Sequence, residues 1–193
     1  MLEAILFIII LILSVVVHEV SHGYMAYYLG DDTAYRMGRL TLNPLAHLDL
    51  FGSIIVPLLM FFSTGFVFGW AKPVPFNPYA LRDQKWGSAK VAVVGPLSNI
   101  LIAVLFAILF RFFPLSTFVN IVLINVVLAV FNLVPIPPLD GSKILFAILP
   151  DRYVNFKIGL EKYGFMLVLF LIFFGWPLIR PIINFLAGLL LPI

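Results

Sequence analysis

Residues 2 to 29 read LEAILFIIILILSVVVHEVSHGYMAYYL, an apolar run that ends in a cluster of ionisable side chains, His18, Glu19 and His22. At roughly 1.5 Å per residue, 28 helical residues span about 42 Å, enough to cross a bilayer with a polar end protruding. No basic n-region precedes the run and no small-residue cleavage site follows it, so it reads as a retained helix rather than a signal peptide. Gly30 supplies the stop. The composition of the whole chain agrees. It has 193 residues, 63% of them hydrophobic and 11% charged, with a mean hydropathy of +1.12. Soluble domains are about 45–50% apolar and about 25% charged, so the excess must face lipid. That excludes a soluble globule. The net charge of +3 is spread over short loops with no basic stripe interleaved with aromatics, so nucleic acid is not expected as a partner. The absence of cysteine removes disulfides, thiolate catalysis and cysteine-ligated zinc.

Outward from the first helix, residues 31–49 are polar, and the alternation Gly38-Arg39-Leu40-Thr41-Leu42-Asn43-Pro44 reads as a short strand closed by a turn. Residues 50–69 are apolar but broken by Pro57, Ser63, Thr64 and Gly65, which suits a bent or re-entrant element better than a straight span. The run Trp70 to Gly87 holds Pro73, Pro75 and Pro78 and reads as an extended loop with strand character. Ser88–Phe110 and Thr117–Val134 form a hairpin of spanning helices joined by a short turn. Pro135, Pro137 and Pro138 then break the helix. A polar stretch leads into two apolar runs, Tyr163–Trp176 and Ile182–Ile193, read as one broken span or two short helices. The expectation is an all-α polytopic membrane protein: one domain over 1–193, with a catalytic core of about 2–145, C-terminal helices over about 157–193 and about five to six membrane segments.

If residues 50–69 crossed fully, the end of the first helix and Pro135 would lie on opposite faces. If they are re-entrant, the two points share a face. In the re-entrant case, ten of the twelve basic residues fall on one side and only Arg111 and Arg180 on the other. The positive-inside rule favours that split and makes the ten-charge side cytoplasmic, with the N-terminus external.

His18-Glu19-Val20-Ser21-His22 is an H-E-x-x-H sequence within a helix. Residues four apart share a face, so both imidazoles can reach one metal ion, while Glu19 sits about 100° round the helix and can touch a water there. Ionisable groups in a membrane span cost about 2.5–3.5 kcal/mol each, which argues for a functional role over a merely satisfied polar pair. A catalytic zinc takes three protein ligands. Asp140, His47, Asp49, Asp31 and Asp32 are the candidates for the third, and Asp140 shares a face with the histidines only in the re-entrant topology.

Together with the run Asn132-Leu133-Val134-Pro135-Ile136-Pro137-Pro138-Leu139-Asp140-Gly141 and with Gly95-Pro96-Leu97-Ser98-Asn99, this motif resembles the signature of the site-2 protease family of intramembrane zinc metalloproteases. The resemblance spans positions 18 to 141. It implies one zinc held by His18, His22 and Asp140, Glu19 as the catalytic base and an active site open to the cytoplasm, in the cytoplasmic membrane of a prokaryote. It also implies a small membrane-embedded β element that receives a transmembrane protein or peptide substrate as an added strand. Leu40, Thr41 and Leu42, and Trp70, Lys72 and Val74, are the residues here with that character. The length leaves no room for the PDZ or nucleotide-sensing domains of some members. Regulation is then expected from a membrane partner, a homo-oligomer or the substrate itself.

The mechanism implied is zinc-activated water, with Glu19 shuttling a proton to the leaving amine. Asn99 and Asn132 are the amides nearest the motifs, each either a stabiliser of the oxyanion or an interhelical hydrogen bond. His47 reads as a supporting residue, and Lys72 as a substrate contact or a snorkelling lysine. A secondary transporter would show a repeat relating two halves, and none is found. A catalytically silent zinc scaffold would have no use for Glu19.

Overall fold

The computed structural model describes residues 2–64 and 71–191. Trp70, expected above in a substrate strand, lies outside the described residues, as does the end of the 50–69 segment.

The first helix, α1 (Leu2–Tyr28), ends where expected. Gly30 adopts φ 108°, and the amides of Gly30 and Asp31 turn back onto the carbonyls of Tyr27 and Ala26, a Schellman closure that only a residue tolerant of left-handed backbone allows. One-turn α2 (Thr33–Arg36) ends on Gly38, φ 64°, by the same device. Here the structure departs from the expected strand. Residues 38–43 begin as a helix terminus, and among the described residues there is no β-strand. On the other side of the expected pair, Pro73 and Pro75 lack the N–H that a ladder needs. Three other amides of that segment go elsewhere: Lys72 to the carbonyl of His47 at 2.9 Å, Val74 to Glu19, and Asn77 to Asp31.

The Lys72 to His47 bond also addresses the crossing of the intervening segment. Asp49 caps a short π-turn (Leu50–Ile55) that runs into α3 (Val56–Thr64). The bond makes residues 47 and 72 hydrogen-bonded neighbours, so the two ends of the intervening segment lie side by side, as the re-entrant reading requires. Arg82 N–H in turn bonds the carbonyl of Leu29 at 2.9 Å, so α4 (Gly87–Phe112) starts beside the end of α1.

Helix α4 is the central post, packing against α1, α5 (Ser116–Asn132), α6 (Asp140–Ile148) and α8 (Trp176–Leu190). Its buried face carries Ala89, Ala92, Gly95, Ala103 and Ala107, small residues that let neighbouring backbones close in without a hydrophobic drive from the lipid. One core cluster joins Ala103 and Ala107 to Val122, Val126 and Val130 of α5 and to Ile179 and Ile183 of α8. The outward faces are large and apolar, including Ile8, Leu101, Phe112, Phe170 and Phe185, as lipid contact requires.

Among the described residues, two helices are long and apolar enough to cross a membrane, Ile5–Tyr28 and Gly87–Phe112. Helix α5 is a shorter apolar helix of 17 residues. Helix α7 (Val154–Phe174) meets α8 at Gly175 with a bend of 70°, so the C-terminal part is a broken pair.

Candidate metal centre

His18 and His22 lie one turn apart on the buried face of α1, 6% and 8% exposed. Asp140 is the first residue of α6, delivered by the proline-rich turn that follows α5. One atom from each residue meets at a common point. His22 Nε2 is 3.0 Å from His18 Nε2 and 3.1 Å from Asp140 Oδ2, and His18 Nε2 is 3.2 Å from the same oxygen. The other candidates for a third ligand are occupied elsewhere. Asp31 binds Thr33 and the Asn77 amide, Asp32 pairs with Arg36, Asp49 caps the π-turn, and His47 bonds the carbonyl of Thr41 at 2.8 Å.

The far side of each imidazole decides what the near side can do. His22 Nδ1 lies 2.7 Å from the Val91 carbonyl, which only accepts, so Nδ1 carries the proton and Nε2 presents a lone pair. His18 Nδ1 lies 2.6 Å from Asn99 Oδ1, and the same logic applies. Two imidazole lone pairs and a carboxylate oxygen thus face one another about 3 Å apart, an arrangement that repels itself unless a cation sits between. Four-coordinate zinc, with bonds of about 2.0–2.2 Å, holds neighbouring ligand atoms at nearly this spacing, so the residues fit that metal.

Glu19 lies beside the cluster, and its Oε2 accepts the Val74 amide at 2.8 Å. The 72–77 segment that supplies this amide is fastened at both ends. Arg39 Nη2 donates to the Lys72 carbonyl at 2.9 Å, and buried Asp31 accepts from Asn77 N at 2.6 Å. Lys143 approaches the second oxygen of Asp140 at 3.5 Å. A cavity of about 170 Å³ opens over these groups, lined by Glu19, Val74, Phe76, Asn132, Pro138 and Lys143 among others. It has room for several waters.

The two candidate amides part company here. Asn132 lines the cavity, with its Nδ2 also donating to the Leu128 carbonyl at 2.9 Å. Asn99 is wholly buried behind His18, its Nδ2 committed to Asn125 Oδ1 at 2.8 Å. Val74 lines the cavity and Lys72, exposed, is not among its lining, whereas Leu40 comes within contact of the position a Gly23 Cβ would take and Leu42 is 63% exposed. Sequence reasoning did not single out Asn125, Ser14 or the Val91 carbonyl. Asn125 carries a signal, as an amide in the middle of an apolar helix, but the other two carry none.

The sequence model of peptidase family M50 matches residues 113–174, a stretch that includes Asn132 and Asp140. YwhC of Bacillus subtilis is 36% identical over 193 residues, covering 92% of this chain and 85% of its own length. Rip2 of Mycolicibacterium smegmatis is 30% identical over 184 residues, with 90% of this chain and 66% of that protein aligned. The protein named Zinc metalloprotease MJ0392, from Methanocaldococcus jannaschii, is 28% identical over 181 residues and extends well beyond the alignment, which covers 43% of it. No solved structure matches the chain. With near full-length identity to YwhC and the family's own pattern running through the residues that deliver Asp140, the chain belongs to peptidase family M50.

Proposed function

We propose that this protein is an intramembrane zinc endopeptidase that hydrolyses a peptide bond within or near an unwound transmembrane segment of a membrane protein. The observation that carries the reading is the convergence of His18 Nε2, His22 Nε2 and Asp140 Oδ2 beside a carboxylate, in a cavity next to a helix long enough to cross a bilayer. These three residues would hold the metal. Zinc, when bound there, supplies Lewis acidity that polarises a carbonyl and acidifies water. Glu19, oriented by the Val74 amide, takes a proton from the attacking water and hands it to the departing amine. Asn132 is the amide placed to donate to the developing oxyanion.

A substrate helix keeps its carbonyls bonded internally, so it must unwind to be cut. The extended 72–77 segment at the cavity edge offers backbone and apolar contacts, through Val74 and Phe76, to such an unwound stretch. The whole chain acts as one membrane-embedded domain, with the cavity facing the cytoplasm, the N-terminus outside and a single-pass membrane protein as the substrate.

The test is zinc content per chain together with cleavage of a detergent-solubilised transmembrane peptide. The wild type is expected to hold one zinc and cut. Glu19→Gln should keep zinc and lose about 10²-fold or more in rate, and Asp140→Asn should lose zinc. Unchanged cleavage by Glu19→Gln overturns the mechanism, and a full zinc load in Asp140→Asn overturns the ligand set. Zinc without cleavage in the wild type leaves a silent scaffold.

A further inference from the structure

Behind His18 runs a directional chain of buried amides that crosses three helices. Asn125 of α5 uses both of its N–H bonds, one to the Ile121 carbonyl at 2.8 Å and one to Ser14 Oγ at 2.9 Å. A backbone carbonyl can only accept, so the orientation of the Asn125 amide is set: its nitrogen faces Ile121 and its oxygen faces α4. That oxygen accepts from Asn99 Nδ2 at 2.8 Å. The Asn99 nitrogen is thereby held toward α5, with the Ser14 carbonyl at 3.4 Å beside it, and the Asn99 oxygen is left facing His18 Nδ1 at 2.6 Å. Asn99 and Asn125 are both fully buried and Ser14 nearly so, and no solvent is at hand to substitute for a lost partner.

An amide, unlike a carboxylate, is not symmetric. If Asn99 flipped, its NH2 would face His18 Nδ1, which would then have to accept, and the imidazole proton would move to Nε2, where the metal must bind. We propose that Asn125 is a positioning residue that acts through Asn99: by anchoring the polarity of the amide chain on the Ile121 carbonyl, it locks His18 in the tautomer with its Nε2 lone pair exposed. The inference rests on the reading of His18 as a metal ligand. It gives the histidine's outer partner a second support of its own, and loss of such outer partners typically weakens metal binding by about 10–100-fold.

The test uses the full chain in detergent, with two readouts. Zinc affinity is measured by competition with a chelator, and the tautomer is read from ¹⁵N shifts of the imidazoles in the metal-free protein, where only three histidines have to be told apart. In the wild type, His18 Nδ1 is expected as the protonated nitrogen; an unprotonated Nδ1 there overturns the proposal without any variant. Asn125→Leu removes the anchor and should weaken zinc by about 10–100-fold and mix the His18 tautomers. In Asn125→Asp, a neutral carboxyl can donate to Ile121 through its O–H and still accept from Asn99, so affinity and tautomer should stay close to wild type. Wild-type affinity in Asn125→Leu, or an equal loss in both variants, overturns the relay. A wild type that binds no zinc would instead sink the peptidase reading.

Discussion

Gly95 shows how tightly the centre is built. A Cβ at this position of α4 would collide with the His22 ring and come within 2.8 Å of His18 Cε1. The two imidazoles therefore fill the space that a side chain would take. Gly95→Ala is expected to displace both rings, costing about 1–3 kcal/mol of stability and lowering zinc per chain while helix content by circular dichroism holds. Retained zinc would mean that the rings can shift as a pair. At this scale the shared face of His18 and His22 was legible in sequence, because a four-residue spacing on a helix is local and fixes which side chains lie together. Asp140, distant in sequence, was picked out by the re-entrant topology and by the resemblance, not by local spacing. The polarity of Asn99 was not legible, since it depends on Ile121 and Asn125, residues brought behind His18 by packing alone.

Helix α4 opens on an interaction that senses acid. Asp83 accepts the amides of Trp86 and Lys85, and the Lys90 ammonium at 2.6 Å. The hydrogen bond from Lys90, followed by that from the Trp86 amide, holds its carboxyl below the usual carboxylate range. A depressed folded-state pKa contributes stability above the unfolded value, near 4, and that contribution is lost as pH falls through the lower folded-state value. Thermal stability in detergent should therefore fall as pH drops from about 5 toward 3, and less steeply in Asp83→Asn. Identical slopes would remove Asp83 from the acid limb.

The 72–77 segment makes a different point about elements. Alternating residues and prolines read as strand character, yet Pro73 and Pro75 leave it two donors short, and the amides of Val74 and Asn77 end up on carboxylates. Sequence pattern reports extended backbone well and its partner poorly. Asp31→Asn, which cuts a buried charged anchor of this segment, should cost about 1–3 kcal/mol and make residues 71–86 more sensitive to protease than the rest. Unchanged proteolysis would show that Arg39 and Glu19 suffice.

For the molecule as a whole, the long apolar helices were readable from length and hydropathy, and the punctuated runs at 50–69 and 163–193 already read as re-entrant and as broken, whereas the contact that joins the ends of the first, the Lys72 amide on the His47 carbonyl, was not readable because its partners are distant in sequence. The absence of native cysteine makes the crossing pattern measurable with single substitutions. Glu3→Cys should react with an impermeant thiol reagent from outside, and Leu45→Cys and Ala80→Cys only from the cytoplasmic side. Reaction of positions 45 and 80 from opposite sides would undo the re-entrant topology.

The hydrogen bond between Lys72 N and the His47 carbonyl holds the two ends of the intervening segment side by side. Lengthening a flexible loop costs only about 0.6 kcal/mol per doubling, so with its ends held together this segment is expected to accept added length at little cost in stability. A tag or reporter inserted there is expected to leave the helices that carry His18, Asn99 and Asp140 in their places.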